Sequence, residues 1–204
     1  QLCADVECLP RGACCLCDGT CLDDVTQSEC EANPLSHDWS LCTPCADVSC
    51  PPRGACCLCD GTCLDDLTEA ECQSEPLYHD WADCVTCAET ECDARGACCL
   101  CDGTCLDDLT QAECEADALF HDWTECGTCA KSACAPRGAC CLCDGTCLDD
   151  LTEDACHAQP LFHDWTECGL CLDVPCPPRG ACCLCDGTCL EDRTQDECED
   201  EPLY

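Results

Sequence analysis

RGACCLCDGTC, at residues 53–63, is the stretch that decides the fold, because it gathers four cysteines around one turn signal. The same letters begin again at Arg11, Arg95, Arg137 and Arg179, so the 204-residue chain has a period of 42 residues. Counted from their first cysteine, the modules are residues 1–44, 45–86, 87–128, 129–170 and 171–204, the last ending before its His-Asp-Trp segment. Such strict spacing predicts a linear array of equivalent units.

Cysteine makes up 39 of the 204 residues, whereas Ile and Met are absent and only eight residues are aromatic. Covalent bridges must therefore replace much of the hydrophobic core, at roughly 2–4 kcal/mol for each bridge. Pairing within one module has 105 solutions, which the sequence leaves open. The eight cysteines of the second module are Cys45, Cys50, Cys56, Cys57, Cys59, Cys63, Cys72 and Cys84.

The formal charge of −37 comes from 44 acidic side chains against seven basic ones. Such a chain repels nucleic acid and anionic membranes, so neither is an expected partner. No stretch approaches the roughly 20 apolar residues of a membrane span, and residues 1–3 do not begin a signal peptide. Oxidised cysteines on this scale predict an extracellular or cell-surface location.

Asp-Gly lies between two short strand-like runs in every module, and this dipeptide favours a two-residue type I′ β-hairpin. In that register, Cys59 faces Thr62 and Leu58 faces Cys63. Gly61 is the structural residue of the turn. Because side chains alternate along a strand, Cys59 and Cys63 lie on opposite faces and are not expected to bond to each other.

A short helix is predicted after the hairpin, with Thr68 as its cap and Glu71 reaching back to complete a capping box. Leu67 and Cys72 are placed to form a hydrophobic staple, and the helix should end near Pro76. The box recurs in other modules, but one of them lacks its glutamate. The recurrences are Thr26/Glu29, Thr110/Glu113 and Thr194/Glu197, whereas Thr152 is followed by Ala155.

A tryptophan follows each of the first four helices, and its large ring is expected to cover the bridges of a junction between modules. Each module is thus predicted to be a small, disulfide-rich α+β unit with a short β-hairpin, a short helix, irregular chain and little hydrophobic core. The tryptophans are Trp39, Trp81, Trp123 and Trp165.

The motif His-Asp-Trp-x-x-Cys-x-x-Cys invites a redox or zinc interpretation. Redox Cys-x-x-Cys pairs lie at a helix N-terminus in a thioredoxin-like βαβ unit, which this sequence does not predict. Repetition at one period also favours architecture, so the protein is expected to be no enzyme and to have no catalytic or cofactor-binding residue. The motif begins at His37, His79, His121 and His163.

Metal binding is the stronger rival, because closely spaced cysteines in the reduced state resemble metallothionein-like clusters. A metal-sequestering protein therefore stays open as an alternative. Asp65 and Asp66 are the candidates for weak calcium binding, although they lack the ligand pattern of a helix–loop–helix site. The recurrent arginine, Arg53 in the second module, is expected to pair with one of these carboxylates.

The odd cysteine count leaves at least one cysteine without a partner in the chain. The expected remedy is a bond to another copy, with copies arranged end to end or laterally in a continuing polymer. The truncation at Tyr204, where six more residues would complete the period, points the same way. A fragment with one free thiol is the alternative.

The core GACCLxDGTCxxxxTxxxC, with Trp and further Cys downstream, resembles cysteine-rich tandem repeats of large secreted or surface proteins from environmental bacteria. That resemblance implies an extracellular place and brings no activity. Here Cys59 and His79-Asp80 replace the Pro and Gly-Gly usual in those repeats, which implies an extra bridge and a different junction. The predicted function is an extracellular structural protein forming a disulfide-stabilised filament, fibre or stalk. A rigid spacer of a surface adhesin is a further alternative.

Overall fold

The structure is a computed structural model that describes residues 9–202. The chain divides into two compact bodies, Gln1–Arg95 and Gly96–Tyr204. Each body repeats one small motif, in which two antiparallel strands are followed by a one-turn helix and, in most modules, by a third strand. The core is small and consists mainly of cysteine, alanine and leucine. The prediction of a disulfide-rich α+β repeat with little core is therefore confirmed.

The elements follow the 42-residue period. In the first body they are β1 (Arg11–Leu16), β2 (Cys21–Thr26), α1 (Gln27–Glu31), β3 (Ser36–Leu41), a 3₁₀ turn (Cys45–Asp47), β4 (Gly54–Leu58), β5 (Cys63–Leu67), α2 (Glu69–Gln73) and β6 (Tyr78–Asp83). Strand β7 (Arg95–Leu100) begins at the division. Then follow β8 (Cys105–Thr110), α3 (Gln111–Glu115), β9 (Phe120–Glu125), β10 (Gly138–Leu142), β11 (Cys147–Leu151), α4 (Glu153–His157), β12 (Phe162–Glu167), β13 (Gly180–Cys183), β14 (Cys189–Arg193) and α5 (Gln195–Glu199).

The hairpin loop differs from the predicted two-residue turn. Leu58 N–H donates to the Thr62 carbonyl and Gly61 N–H donates to the Leu58 carbonyl, so three residues form the loop. Gly61 has φ +81°, while Asp60 is not in the left-handed region that a type I′ turn requires. The Asp60 carboxylate instead accepts the Thr62 N–H at 2.8 Å. The predicted pairing of Cys59 with Thr62 and of Leu58 with Cys63 is thus wrong.

A third strand, missed by the sequence analysis, completes the sheet. In the second module the strand order is β5-β4-β6, with Cys56 opposite Trp81 and Cys57 opposite Asp80. Gly54 is needed where β4 pairs with β6, because a Cβ at this position would lie 1.9 Å from the Ala82 carbonyl oxygen. The His-Asp-Trp segment, predicted as irregular chain, is therefore an edge strand that pairs with the cysteine-rich strand β4.

The predicted helix cap is confirmed. Thr68 Oγ1 accepts the Glu71 N–H at 3.2 Å, and the Glu71 carboxylate accepts the Thr68 N–H at 2.8 Å. Hydrogen bonds from the Thr68 backbone and hydroxyl hold the pKa of Glu71 below its usual range. Leu67 packs against the cluster that contains Cys72, as a staple requires. The fourth module has only the Thr152 half of the box, as its sequence predicts.

Trp81 lies on its own module rather than on a junction. Its ring packs against Cys56, Leu58 and Cys72, which are buried. Its indole N–H donates to the Leu67 carbonyl at 2.9 Å. The ring therefore shields the bridge inside the module and fastens the third strand across the hairpin. Trp39, Trp123 and Trp165 make the equivalent hydrogen bonds.

Candidate functional site

Four kinds of disulfide bond recur, and they define the site that this repeat builds. In the first body, Cys14–Cys30 joins the hairpin to the helix, 16 residues apart. Cys21–Cys45 and Cys15–Cys50 join the hairpin to the segment that opens the next module. Cys17–Cys84 spans 67 residues and reaches the last cysteine of the next module. One bond of the four is thus internal in the register used above, and three cross to the following module.

The same four sequence separations recur in the later modules. The internal bond recurs as Cys56–Cys72, Cys98–Cys114, Cys140–Cys156 and Cys182–Cys198. The crossing bonds recur as Cys57–Cys92, Cys63–Cys87, Cys99–Cys134, Cys105–Cys129, Cys101–Cys168, Cys141–Cys176 and Cys147–Cys171. Cys63 bonds to Cys87 and not to Cys59, so the prediction for that pair is confirmed.

The long bond, Cys17–Cys84, distinguishes this array from a row of separate units. A module taken as residues 9–50 closes three of its four bonds within itself, and only Cys17 then leaves it. Cys17 lies in the three-residue loop of its hairpin. Cys84 follows β6 and has φ +54°, a left-handed conformation that directs the chain away from the strand. The loop of the first hairpin therefore holds the end of the second module's sheet, and Cys101–Cys168 repeats this arrangement in the second body.

Polar contacts accompany these bonds at the junction of the first two modules. Asp23 Oδ1 accepts the Cys45 N–H at 2.9 Å, beside the Cys21–Cys45 bridge. His37 Nδ1 lies 3.1 Å from Asp66 Oδ1, across the junction. The Arg53 N–H donates to the Cys17 carbonyl at 2.8 Å. The histidine and the acidic pair, two motifs singled out in the sequence, thus come together at the junction.

Asp65 and Asp66, the calcium candidates, both have protein partners. Asp65 Oδ1 accepts the Cys87 N–H at 2.7 Å, and Asp66 faces His37 and Arg53. Asp66 has φ +63° at a β-bulge, which turns its side chain from the regular alternation of β5. The expected pairing of Arg53 with this acidic cluster is confirmed, with Arg53 Nη1 3.9 Å from Asp66 Oδ2. The sequence did not indicate that the Asp65 carboxylate would accept a hydrogen bond from Cys87, the first cysteine of the next module.

A groove of about 480 Å³ lies beside this junction, lined by His37, Arg53, Asp65, Asp66 and Cys84 among others. The matching groove in the second body, around His121 and Cys168, measures only about 190 Å³. Its bonded contacts nevertheless match, with His121 Nδ1 3.4 Å from Asp150 Oδ1. The volume of the groove differs between the two bodies, whereas the long disulfide and the His–Asp contact are present in both. What recurs at the junction is therefore the set of contacts that join neighbouring modules.

Within residues 9–202, three groups of cysteine sulfurs lie close enough to suggest a metal site. In one of them, the sulfurs of Cys57, Cys63 and Cys92 lie within 4.8 Å of one another. Cys57 is bonded to Cys92, however, and Cys63 to Cys87. Metal binding requires thiolates, so this group can hold an ion only after two bridges are reduced. The other groups are Cys99, Cys105 and Cys134, and Cys141, Cys147 and Cys176.

The recurrent disulfides fit an oxidising compartment, and no helix among residues 9–202 is long and apolar enough to cross a membrane. Comparisons with protein-family models, with curated proteins and with solved structures found no match to this chain. The junction between modules is therefore the feature from which a function must be argued.

Proposed function

We propose that this chain is an extracellular structural protein whose modules form a disulfide-stabilised filament, fibre or stalk. The observation that carries the proposal is the bond Cys17–Cys84, repeated as Cys101–Cys168. A bridge from the loop of one module to the end of the next joins two modules instead of closing a loop within one. It resists separation of neighbours, which is the requirement of a load-bearing array.

The magnitudes favour the same function. In the loop-entropy account, a bond closing 16 residues contributes about 3 kcal/mol and one closing 67 residues about 4 kcal/mol, each taken alone. Cys14 and Cys30, which are buried, occupy the place that large apolar side chains take in ordinary domains. Such units tolerate heat and detergent because little of their stability depends on an extended hydrophobic core.

The proposal assigns no reaction to the protein. The His-Asp-Trp segment, the motif that most resembles a chemical site, lies in strands β3, β6, β9 and β12. There the tryptophan donates a hydrogen bond within its own module. His37, His121 and His163 each contact an aspartate of the next module. These structural uses account for the motif without a substrate.

The test is to heat the purified protein in detergent with and without a reductant and to examine it by electron microscopy and light scattering. We expect filaments to survive the nonreducing treatment and to dissolve when dithiothreitol is added. Assemblies that fall apart in mild detergent without reductant would contradict the proposal, as would a protein that stays monomeric at every salt concentration. Salt belongs in the design because it screens the repulsion between chains of charge −37.

Metal sequestration is the second candidate, since sulfur triads such as Cys57, Cys63 and Cys92 are present. Thiol titration of the denatured, unreduced protein separates the two functions. A structural protein should show free thiols at only a few of its 39 cysteines, and elemental analysis should find no stoichiometric zinc or copper. Free thiols at most positions, with several ions per chain, would favour the metal-binding function.

A further inference from the structure

Two crossing disulfides lie side by side where the second module meets the third. The sulfurs of Cys57, Cys63 and Cys92 lie within 4.8 Å of one another, although they belong to two different bonds. These bonds are Cys57–Cys92 and Cys63–Cys87. A sulfur of one bridge is thus a close neighbour of the other bridge. Equivalent groups recur in the next two modules, at Cys99, Cys105 and Cys134 and at Cys141, Cys147 and Cys176.

The sheet places Cys57 and Cys63 for a bond of their own. The two residues are partners in the ladder of β4 and β5. The neighbouring Leu58 N–H donates to the Thr62 carbonyl, so the alternation of an antiparallel ladder makes Cys57 and Cys63 a non-hydrogen-bonded pair. The Cα atoms of such a pair are about 4.5 Å apart. That separation lies within the range of about 4.4–6.8 Å that disulfides span.

The other two cysteines, Cys87 and Cys92, are also close along the chain. Residues 87–92 form a turn followed by irregular chain, which is free to adjust its path. Both cysteines are half-buried, whereas Cys57 is buried beneath them. A small molecule from solvent therefore reaches this pair of bridges from the side of Cys87. All four cysteines thus have a second possible partner, which lies in the same module.

We propose that the sulfurs of Cys57, Cys63 and Cys92 form an exchange site for a small thiol. The products of the exchange are the bonds Cys57–Cys63 and Cys87–Cys92. The first closes within the hairpin, and the second closes within the opening segment of the third module. Neither product joins two modules, so the exchange removes two of the bonds that cross this junction. The inference goes beyond the proposed function, because it holds for a single chain as well as for a filament.

The exchange needs a thiol as catalyst and no net oxidant or reductant. The thiolate of the small molecule attacks the Cys87 sulfur, forms a mixed disulfide and releases the Cys63 thiolate. The Cys63 thiolate attacks the Cys57 sulfur, forms Cys57–Cys63 and releases the Cys92 thiolate. The Cys92 thiolate then attacks the Cys87 sulfur and releases the small thiolate. Two protein disulfides are broken, two are formed, and the thiol is regenerated.

The charge around the site selects the kind of thiol. Asp65 Oδ1 accepts the Cys87 N–H at 2.7 Å, and Glu89 and Glu91 lie between Cys87 and Cys92 in the sequence. The whole chain adds a formal charge of −37. Anionic thiols are repelled by such a surface and cationic ones are attracted, and salt screens both effects. The site therefore favours a small cationic thiol, for which cysteamine is the probe.

The experiment incubates the oxidised full chain with less than one equivalent of cysteamine and stops the reaction with acid. Digestion at acidic residues and mass spectrometry then identify the bonded peptides. Peptides with Cys57–Cys63 and Cys87–Cys92 should replace the crossing pair, while the total free thiol stays constant. The rate should rise roughly eightfold from pH 7 to pH 8, as the thiolate fraction does for a thiol pKa of about 8.5. At equal thiolate concentration and low salt, cysteamine should act faster than mercaptoethanesulfonate.

The double variant C63S/C87S removes the bridge that is attacked first. The Cys57–Cys92 bond should then persist, and the Cys57–Cys63 peptide cannot form. The group at Cys141, Cys147 and Cys176 should still exchange in this variant, which shows that the chain outside the second module is folded.

The bond Cys56–Cys72 is the matched control in the unchanged protein, because both of its sulfurs belong to fully buried residues. It should stay intact while the crossing bonds exchange. Loss of Cys56–Cys72 at the same rate would overturn the proposal, because the whole module would then be opening.

Three other results would also overturn it. Free thiol that rises as the crossing bonds disappear, without a Cys57–Cys63 peptide, would mean plain reduction. The pairs Cys63–Cys92 and Cys57–Cys87 would mean an exchange that still ties the modules. Crossing bonds that survive excess cysteamine would mean no exchange site. The proposed function stands apart from all three, since filaments that form without any exchange would remove this inference alone.

Discussion

The second and fifth modules carry the same RGACCLCDGTC motif, yet all residues of β4 are buried while only Cys182 of β13 is. Both keep the helix, its capping box and the bond from hairpin to helix. In the part of the fifth module that the structure describes, β13 and β14 form a two-stranded sheet without a third strand. The contrast teaches that a module has a self-sufficient half, built by hairpin and helix, and a dependent half that following chain must cover.

The largest difference should come from deleting the bond in the self-sufficient half. Removing Cys56–Cys72 by C56A/C72A should cost about 2–5 kcal/mol, because a native bridge is lost from a small unit in which both sulfurs are buried beneath Trp81. Limited proteolysis of the oxidised protein should then cut the second module and spare the others. The matched variant C182A/C198A should cost less, since no tryptophan covers that bond in the described part of the fifth module. If C56A/C72A and C182A/C198A made their modules equally more sensitive to protease, the expected difference between the two modules would be wrong.

A smaller difference in stability between the two modules is expected at Gly54 and Gly180, the glycines that begin β4 and β13. Gly54→Ala should destabilise the second module by about 1–3 kcal/mol, because the new methyl group collides with the Ala82 backbone and displaces β6. Gly180→Ala has no strand to displace and should change stability by less than about 0.5 kcal/mol. Amide hydrogen exchange, followed by fragment mass spectrometry, reads both effects locally. Faster exchange after Gly180→Ala than after Gly54→Ala would show that the edge of β13 is covered.

The smallest effect should be the same in both modules. Thr68→Ala and Thr194→Ala each remove a helix cap of the same geometry, at a cost of about 1 kcal/mol. Amide exchange in α2 and α5 should therefore rise to a similar extent. Thr152→Ala is the control without a glutamate partner, and it removes the hydrogen bond that the Thr152 hydroxyl accepts from the Ala155 N–H. A much larger effect at Thr194 would mean that the helix of the fifth module depends on the missing strand.

Local signals in the sequence predicted what depends on local chemistry. The capping box of Thr68 and Glu71, the staple of Leu67 and Cys72, and the role of Arg53 all involve residues close in sequence or charges with few alternatives. The two-residue turn was wrong because Asp60 uses its carboxylate to bind the Thr62 N–H, which suits a longer loop.

The contacts at the junction between modules could not be predicted from local signals in the sequence. Tyr78–Asp83 contains two aspartates and a histidine, which do not favour a strand, and it becomes one because β4 offers it a hydrogen-bonding edge. Disulfide pairing depends on where whole segments meet, so Cys17 and Cys84 could not be matched by spacing. The Asp65-Asp66 pair was a visible hint, since its two carboxylates serve two different partners at the bulge of the second module.

The overlap of the bridges has a consequence for damage. Cys17–Cys84 encloses the whole stretch between its ends, and Cys101–Cys168 does the same in the second body. If a protease or a mechanical load breaks one peptide bond inside either stretch, the two pieces stay tied by sulfur. A single cut inside either stretch would therefore release a fragment only after the enclosing bridge is reduced.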